Sequence, residues 1–534
     1  MVEHSEIAPS LKISRIITGL WQIADMEKDG RILDLEQTAK GMIPYCDAGF
    51  TSFDMADHYG SAEVIAGMFR KKQLSTKPVQ LLTKWVPKPG QKTRKDVKSA
   101  VELALERMQS NAIDLMQFHA WHYAAPNWLD CLFWLQELKE EGLIHNIGLT
   151  NFDTAHLRIA LTSGVDIVSN QISYSLIDQR AKNNMAEICK EFDVKILAFG
   201  ILAGGFFSEK WIGVPEPSIK NLVTWSQMKY KRFIDISGGW GKFQLLLKTL
   251  QKIAIKHNVL ISNIAMKYIL DKPSVGGIII GARLGERDYI NKNLKVFDIE
   301  LDETDEMEIN KIQNQFDPIK GDCGDEYRKA PILTATGDLT HHLGSLSTPY
   351  EPIKMSNKRV RINSGTIWED SASYSRAVRK GKYIAVSGTT SSHGKRLIGK
   401  NDPIAQTHFV VDKIEGAIES LGGTLENVIR TRIYVKNIKD WEAIAQVHGE
   451  RFKDILPANT LVKAKLIGTE EQLEAKMKQI LTDYEPLLNV KTVEGEAIEA
   501  PIVSESSSRK PKESSSDLQN SKTHPHPDHK KQTT

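Results

Sequence analysis

The 534-residue chain sets 70 Lys and Arg against 67 Asp and Glu, a formal charge of +3, with 41% hydrophobic and 26% charged residues. So small a charge at this length implies no general attraction to nucleic acid or to a membrane surface, and two folded units with linkers are the natural expectation. Four cysteines, Cys46, Cys131, Cys189 and Cys323, fit no metal or disulfide spacing and point to a reducing compartment. The opening residues lack the basic-then-apolar order of a signal peptide, and no apolar run approaches the roughly 20 residues of a membrane span. A soluble cytoplasmic protein is expected.

From about residue 12 to 300, short apolar runs alternate with helical patterns. Strands are expected at 16–18, 51–55, 80–84, 115–119, 146–150, 168–172, 195–199 and 277–281, most of them followed by a helix. In 96–108, for example, Val97, Ala100, Val101, Ala104, Leu105 and Met108 recur at helical spacing. Eight such units favour a (β/α)8 TIM barrel over an open doubly wound sheet, and no Gly-x-Gly-x-x-Gly follows the first strand. Residues 206–240 interrupt the repeat with Trp211, Pro215, Pro217, Trp225, Tyr230 and Trp240, the composition of an active-site lid. Part of the irregular stretch 315–355, with its charged and aromatic cluster at 321–328, is expected to fold back on the barrel.

A second pattern starts near Ser356. Strands are expected at 383–387, 428–435 and 459–466, with an amphipathic helix at 405–421 and another helix at 441–452, the makings of a compact α+β domain. Beyond about Val490 the chain is rich in Ser, Lys, Glu and His, and 490–534 is expected to be a disordered tail. His524, His526 and His529 lie in it without fixed geometry, so no metal is assigned.

In a barrel, chemistry gathers at the C-terminal ends of the strands. Those ends carry Asp54 with Tyr59 just beyond, Lys84 and His119. Taken singly, each has a plain structural explanation: a turn Asp, a solvated Lys, a core His. Together they suit proton donation to a carbonyl that becomes an alkoxide. Asp54 would hold the Lys84 ammonium, which lowers the pKa of Tyr59, while His119 hydrogen-bonds the same oxygen.

The segment Asp54 to Glu63, the Lys of Leu82-Thr83-Lys84-Trp85, the His of Met116-Gln117-Phe118-His119 and the run Gly142 to Phe152 resemble the aldo-keto reductase family in order and spacing. The resemblance covers about 12–345 and implies a (β/α)8 barrel that reduces small-molecule aldehydes and ketones with NADPH. It implies catalytic roles for Asp54, Tyr59, Lys84 and His119. Thr150, Asn151 and Gln171 match the family's nicotinamide-carboxamide contacts, and Phe199, followed by Gly200, stands where many members carry a stacking Tyr. Gly281, Arg283, Arg287 and Asn293 match the segment that binds the adenosine 2′-phosphate, where an arginine fork suits a phosphate. The family also contains cofactor-sensing channel subunits, so a binding subunit with little turnover is the alternative.

Residues 356–485 resemble the Rid, or endoribonuclease L-PSP-like, family through Tyr374 to Val378, Ile384 to Thr389, Asn427 to Val435 and Pro457-Ala458-Asn459-Thr460. That resemblance implies a chorismate-mutase-like α+β fold, a homotrimer and, in active members, imine hydrolysis. Asn459 stands where the family's substrate-binding arginine is, and a neutral amide cannot reproduce a bidentate grip on a carboxylate. An oligomerising or ligand-binding module is therefore expected, with a bifunctional reductase and deaminase as the alternative. The assembly would use an apolar face formed by Ile429, Ile433, Val435 and helix 405–421, and the fragment 1–350 would be a monomeric, active reductase.

Overall fold

The computed structural model describes residues 1–329 apart from 28, 29, 73 and 288, then 346–464, and the pair Leu487–Leu488. Eight parallel strands close into a barrel: Ile16–Gly19, Ser52–Asp54, Gln80–Trp85, Leu115–Phe118, Ile147–Thr150, Ile167–Ser173, Lys195–Phe199 and Val275–Gly281. The last pairs with the first, so the open-sheet alternative is excluded. These strands read as continuous apolar runs because one face fills the barrel and the other packs under helices. The expected helix runs over Arg94–Met108, opened by a capping box between Thr93 and Asp96 and burying Val97, Val101, Ala104 and Met108.

An antiparallel hairpin, His4–Ala8 with Leu11–Ser14, was not expected from the sequence. Its Ile7, Leu11 and Ile13 cluster with Ile17, Leu82, Leu115, Val168 and Leu197 from five barrel strands and close one end of the barrel. In the 206–240 segment the tryptophans divide. Trp211 and Trp240 pack on Phe206, at 4.9 and 5.8 Å between ring centroids, whereas Trp225 opens the helix Trp225–Ile236 beside the central cavity.

The stretch before residue 330 does fold back on the barrel. Arg180 is buried between Asp178 and Glu326 and donates to the Asp322 carbonyl at 2.7 Å, while the Asp322 carboxylate accepts the Thr154 N–H at 2.8 Å. Residues 330–345 of the expected lid and the tail 490–534, with its histidines, lie outside the described residues.

The second unit is α+β. A four-stranded antiparallel sheet (Ile353–Lys354, Arg359–Ile362, Ala377–Lys380, Tyr383–Val386) stands beside a sheet centred on Arg430–Val435, which pairs in parallel with Ala458–Lys463 and antiparallel with Leu487–Leu488. Helices Pro403–Ser420 and Trp441–Phe452 supply the rest of the core. Two expectations need correction. The helix expected to be amphipathic is buried nearly all round, because it packs on its own sheet and also against the barrel helix Thr154–Thr162. Ile433 and Val435 lie in this domain's own core and, of the three residues expected on an assembly face, only Ile429 is exposed, so these apolar residues do not form that face.

Among the described residues no helix is long and apolar enough to cross a membrane. The four cysteines are free and buried, and no cluster of three or more His, Cys, Asp or Glu side chains forms a metal site among the described residues.

Candidate active site

The C-terminal strand ends surround a cavity of about 520 Å³. At its floor Lys84 Nζ donates to both oxygens of Asp54, at 2.8 and 2.7 Å, and to the Met55 carbonyl at 2.6 Å. Both side chains are about 95% buried. Burial pushes the Lys84 ammonium below its ordinary pKa, and the Asp54 carboxylate opposes that. Asp54 Oδ1 also accepts from Gln171 at 2.7 Å and Gln117 at 3.3 Å, so the carboxylate is held by one cation and two amides. Gln117 escaped the sequence reading. Its signal is a fully buried amide in the middle of an apolar strand, which must point at another polar group inside the barrel.

Tyr59 stands above this pair, its ring centroid 4.9 Å from Lys84 Nζ and edge-on to Trp21 at 5.0 Å. His119 is buried, flanked edge-on by Trp121 at 4.4 Å and Tyr327 at 5.8 Å. Burial, with Arg328 nearby, pulls its pKa well below the usual histidine value, so the ring is neutral. Nδ1 lies 3.4 Å from the Thr150 carbonyl, a long contact, and the buried Nε2 has no hydrogen-bond partner among the described residues. Only the tautomer with its proton on Nε2 would be able to donate to an oxygen placed in the cavity.

Asn151 adopts a left-handed backbone (φ 59°) at the end of its strand, and its buried Oδ1 is likewise unpartnered among the described residues. Thr150, Gln171, Phe199, Gly200, Gly281 and Asn293 all line the same cavity, with Trp21, Trp121, Trp225 and Tyr327 adding an aromatic wall. Lys210, Ser262 and Lys292 also line it, none of them singled out from the sequence. Arg283 and Arg287 are not part of this wall. Arg283 bonds the Asp25 carboxylate and lies 3.5 Å from Glu286, which in turn pairs with Arg31 at 2.6 Å. Arg287 is exposed nearby. The geometry thus joins the four candidate catalytic groups and six of the candidate cofactor residues beyond Asn151, and leaves the two arginines outside the cavity.

The sequence pattern described as "Aldo/keto reductase family" matches residues 15–314, more than half of the chain. The chain belongs to the aldo/keto reductase family. A second pattern, "Endoribonuclease L-PSP", matches residues 368–478, so an aldo/keto reductase is fused here to a domain of that kind. An uncharacterized protein of Streptomyces coelicolor is 37% identical over 102 residues, 19% of this chain and 76% of its own. The NADH-specific methylglyoxal reductase of Escherichia coli is 24% identical over 322 residues, covering 55% of this chain and 93% of that protein. Flagellar radial spoke protein 5 of Chlamydomonas reinhardtii is 25% identical over 302 residues, covering 48% of this chain and 57% of its own. Among solved structures, the glycerol dehydrogenase AKR11B4 of Gluconobacter oxydans superposes with a TM-score of 0.50 at 19% identity, over 60% of this reductase chain and 97% of its own, a likeness of fold.

Proposed function

We propose that the chain reduces an aldehyde or ketone, with NADPH as cofactor, at the cavity above Asp54 and Lys84. The observation that carries this reading is the buried Lys84–Asp54 pair set beneath Tyr59, with two unpartnered polar atoms, His119 Nε2 and Asn151 Oδ1, facing the same space. Asn151, Thr150 and Gln171 would hold a carboxamide and Phe199 would stack on a planar ring. Lys210, Ser262, Lys292 and Asn293 offer charge and hydrogen bonds to phosphates. The dinucleotide supplies the hydride when bound.

The chain's own residues manage the proton. His119 Nε2–H orients the carbonyl oxygen, and Tyr59 delivers its hydroxyl proton to that oxygen as negative charge develops there. The Lys84 ammonium stabilises the phenolate that remains, and Asp54, fixed by Gln117 and Gln171, keeps that ammonium in place. The aromatic wall excludes water from the reacting oxygen. A panel of aldehydes and ketones assayed by NADPH and NADH oxidation tests the reading. Tyr59→Phe should lower kcat by about 10²–10⁴-fold and leave cofactor affinity unchanged. Undiminished turnover in that variant would refute it.

The second domain is proposed as an assembly module in a cytoplasmic homotrimer, without nucleic-acid or membrane partners. Asn459 supports this over imine hydrolysis, because its amide donates to Thr431 Oγ1 at 2.9 Å, and Thr431 in turn bonds His448. The barrel covers helix Pro403–Ser420 of the domain. The opposite sheet face, with exposed Tyr383, Ala385 and Val462, is the surface left for other copies. Light scattering on the full-length chain tests the trimer, and a monomer would end that proposal.

A further inference from the structure

Helix Pro403–Ser420 packs against barrel helix Thr154–Thr162, and a Cβ added at its Gly416 would stand 2.3 Å from the carbonyl oxygen of Ala124, in the loop after strand Leu115–Phe118. Ile398, Ala405 and Phe409 of the second domain join the barrel's own core cluster. Within this contact His156 is buried between two carboxylates, with Nδ1 2.6 Å from Asp153 and Nε2 2.9 Å from Asp412. A ring that meets a carboxylate at each nitrogen carries a proton on both, and the two aspartates raise its pKa against the effect of burial. The other oxygen of Asp412 accepts from Arg451 at 2.6 Å, and Arg451 reaches Glu415 at 2.7 Å.

From His156 the contacts run into the reductase cavity. Tyr123 lies flat on the imidazole, with centroids 3.4 Å apart and planes within 7°. The Arg328 guanidinium sits 4.5 Å from the Tyr123 ring centroid and donates to the Tyr123 hydroxyl. The same guanidinium donates to the carbonyls of Ala120 at 3.0 Å, Gly324 at 2.8 Å and Asn151. Asn151 is a left-handed, non-glycine residue of the cavity wall, and a Cβ on Gly324 would stand 1.9 Å from its carbonyl oxygen. One arginine therefore fixes both the strained strand end and the loop that closes over it.

We propose that the second domain is a working part of the reductase site. Asp412 acts as a positioning residue that keeps His156 charged. Through the stacked Tyr123 and Arg328, this charge holds Asn151 and loop 321–328 in binding geometry. An imidazolium attracts the face of a phenol ring more strongly than a neutral imidazole does, and a buried imidazolium that loses one of its two carboxylates is less stabilised in its charged form, even with Asp153 still in place. Arg328 itself touches no residue of the second domain through a hydrogen bond among those described, so its dependence runs through the stack. The inference rests on the cavity being the dinucleotide site. A second interdomain pair, His393 with Asp130 at 2.8 Å, leads away from Asn151 and serves as the control.

The test uses the full-length chain, with hydrogen exchange over 150–156 and 321–328 and with NADPH and NADH affinity followed by tryptophan fluorescence. Asp412→Asn should speed exchange in both segments and raise the dinucleotide Kd about tenfold, whereas His393→Ala should leave both within about twofold. Asp412→Glu should recover part of the loss. Exchange in Asp412→Asn equal to that in His393→Ala overturns the proposal. Should Asp412→Asn not fold, Tyr123→Phe decides by the same exchange measurement, because it keeps the stack and removes only the bond to Arg328. Unchanged exchange at 321–328 in that variant also overturns it. A wild-type chain that binds neither dinucleotide would refute the site assignment alone, and the exchange comparison would still decide the coupling.

Discussion

Replacing Lys84 by methionine removes the cation from a pair whose members are both about 95% buried. It leaves the Asp54 carboxylate with only the Gln171 and Gln117 amides. Breaking a buried pair in this way costs about 3–5 kcal/mol, because the remaining charge is uncompensated. With a urea m-value of about 3 kcal/mol/M, that is a shift of about 1–1.7 M in the midpoint of the barrel's transition. Asp54→Asn/Lys84→Met should recover most of the loss and unfold within about 1.5 kcal/mol of wild type, since two neutral side chains of similar shape replace both charges. Urea unfolding of wild type, Lys84→Met, Asp54→Asn and the double variant, all full-length, by circular dichroism measures this cycle, with carbonyl turnover assayed alongside. Lys84→Met and the double variant should lack reductase activity. A single variant that loses less than about 1 kcal/mol, or a double variant less stable than Lys84→Met, would refute the argument that Asp54 is a buried charge answered by Lys84.

The role of Arg283 in cofactor choice can be tested directly. If it reaches the 2′-phosphate, Arg283→Ala should weaken NADPH by about 1.5–3 kcal/mol and spare NADH, while Asp25→Asn, which releases the guanidinium, should favour NADPH further. Equal loss of both cofactors in titrations would make Arg283 a structural tie. The docking of the second domain should depend on pH through His156, whose surroundings are Asp153 and Asp412, with Arg451 and Glu415 behind. The raised pKa of His156 means its stabilisation is full below the ordinary histidine value near 6.5 and is lost as pH rises through the higher folded value. Burial raises Asp412, but Arg451 and His156 together hold it down to about 2, so its contribution is present above the ordinary carboxylate pKa and fades as pH falls toward 2. Protection factors for hydrogen exchange across helix 403–420, corrected for the intrinsic pH dependence, should therefore fall on the alkaline side, and Asp412→Asn should flatten that dependence. A flat wild-type profile would show that His156 does not titrate with docking.

The barrel and the tetrad geometry were legible because both follow from short-range pattern. Continuous apolar strands alternating with capped helices admit few closures, and a parallel barrel brings every strand's C-terminal end to one rim, so Asp54, Lys84 and His119 meet whatever the helices outside do. The α+β character of the second unit followed in the same way from the periodicity of its helices and strands. What the sequence left open depends on partners far along the chain. Periodicity assigns helix Pro403–Ser420 one apolar face. Only the folded chain has a barrel against the other face, and that is why fragment 1–350, expected to be self-sufficient, would bare the surface that Phe409 and Ala405 cover. Gln117 looked like one polar residue in a strand until Asp54 appeared opposite it, and Arg283 looked like a phosphate ligand until Asp25, 258 positions earlier, took it up. Arg328 was legible only as one charge in a cluster expected to fold back on the barrel. Its worth lies in three carbonyls and one hydroxyl that converge on it from separate loops. Local hydrophobic spacing determines which elements form, whereas a buried charge takes whatever partner the tertiary fold brings within hydrogen-bond reach.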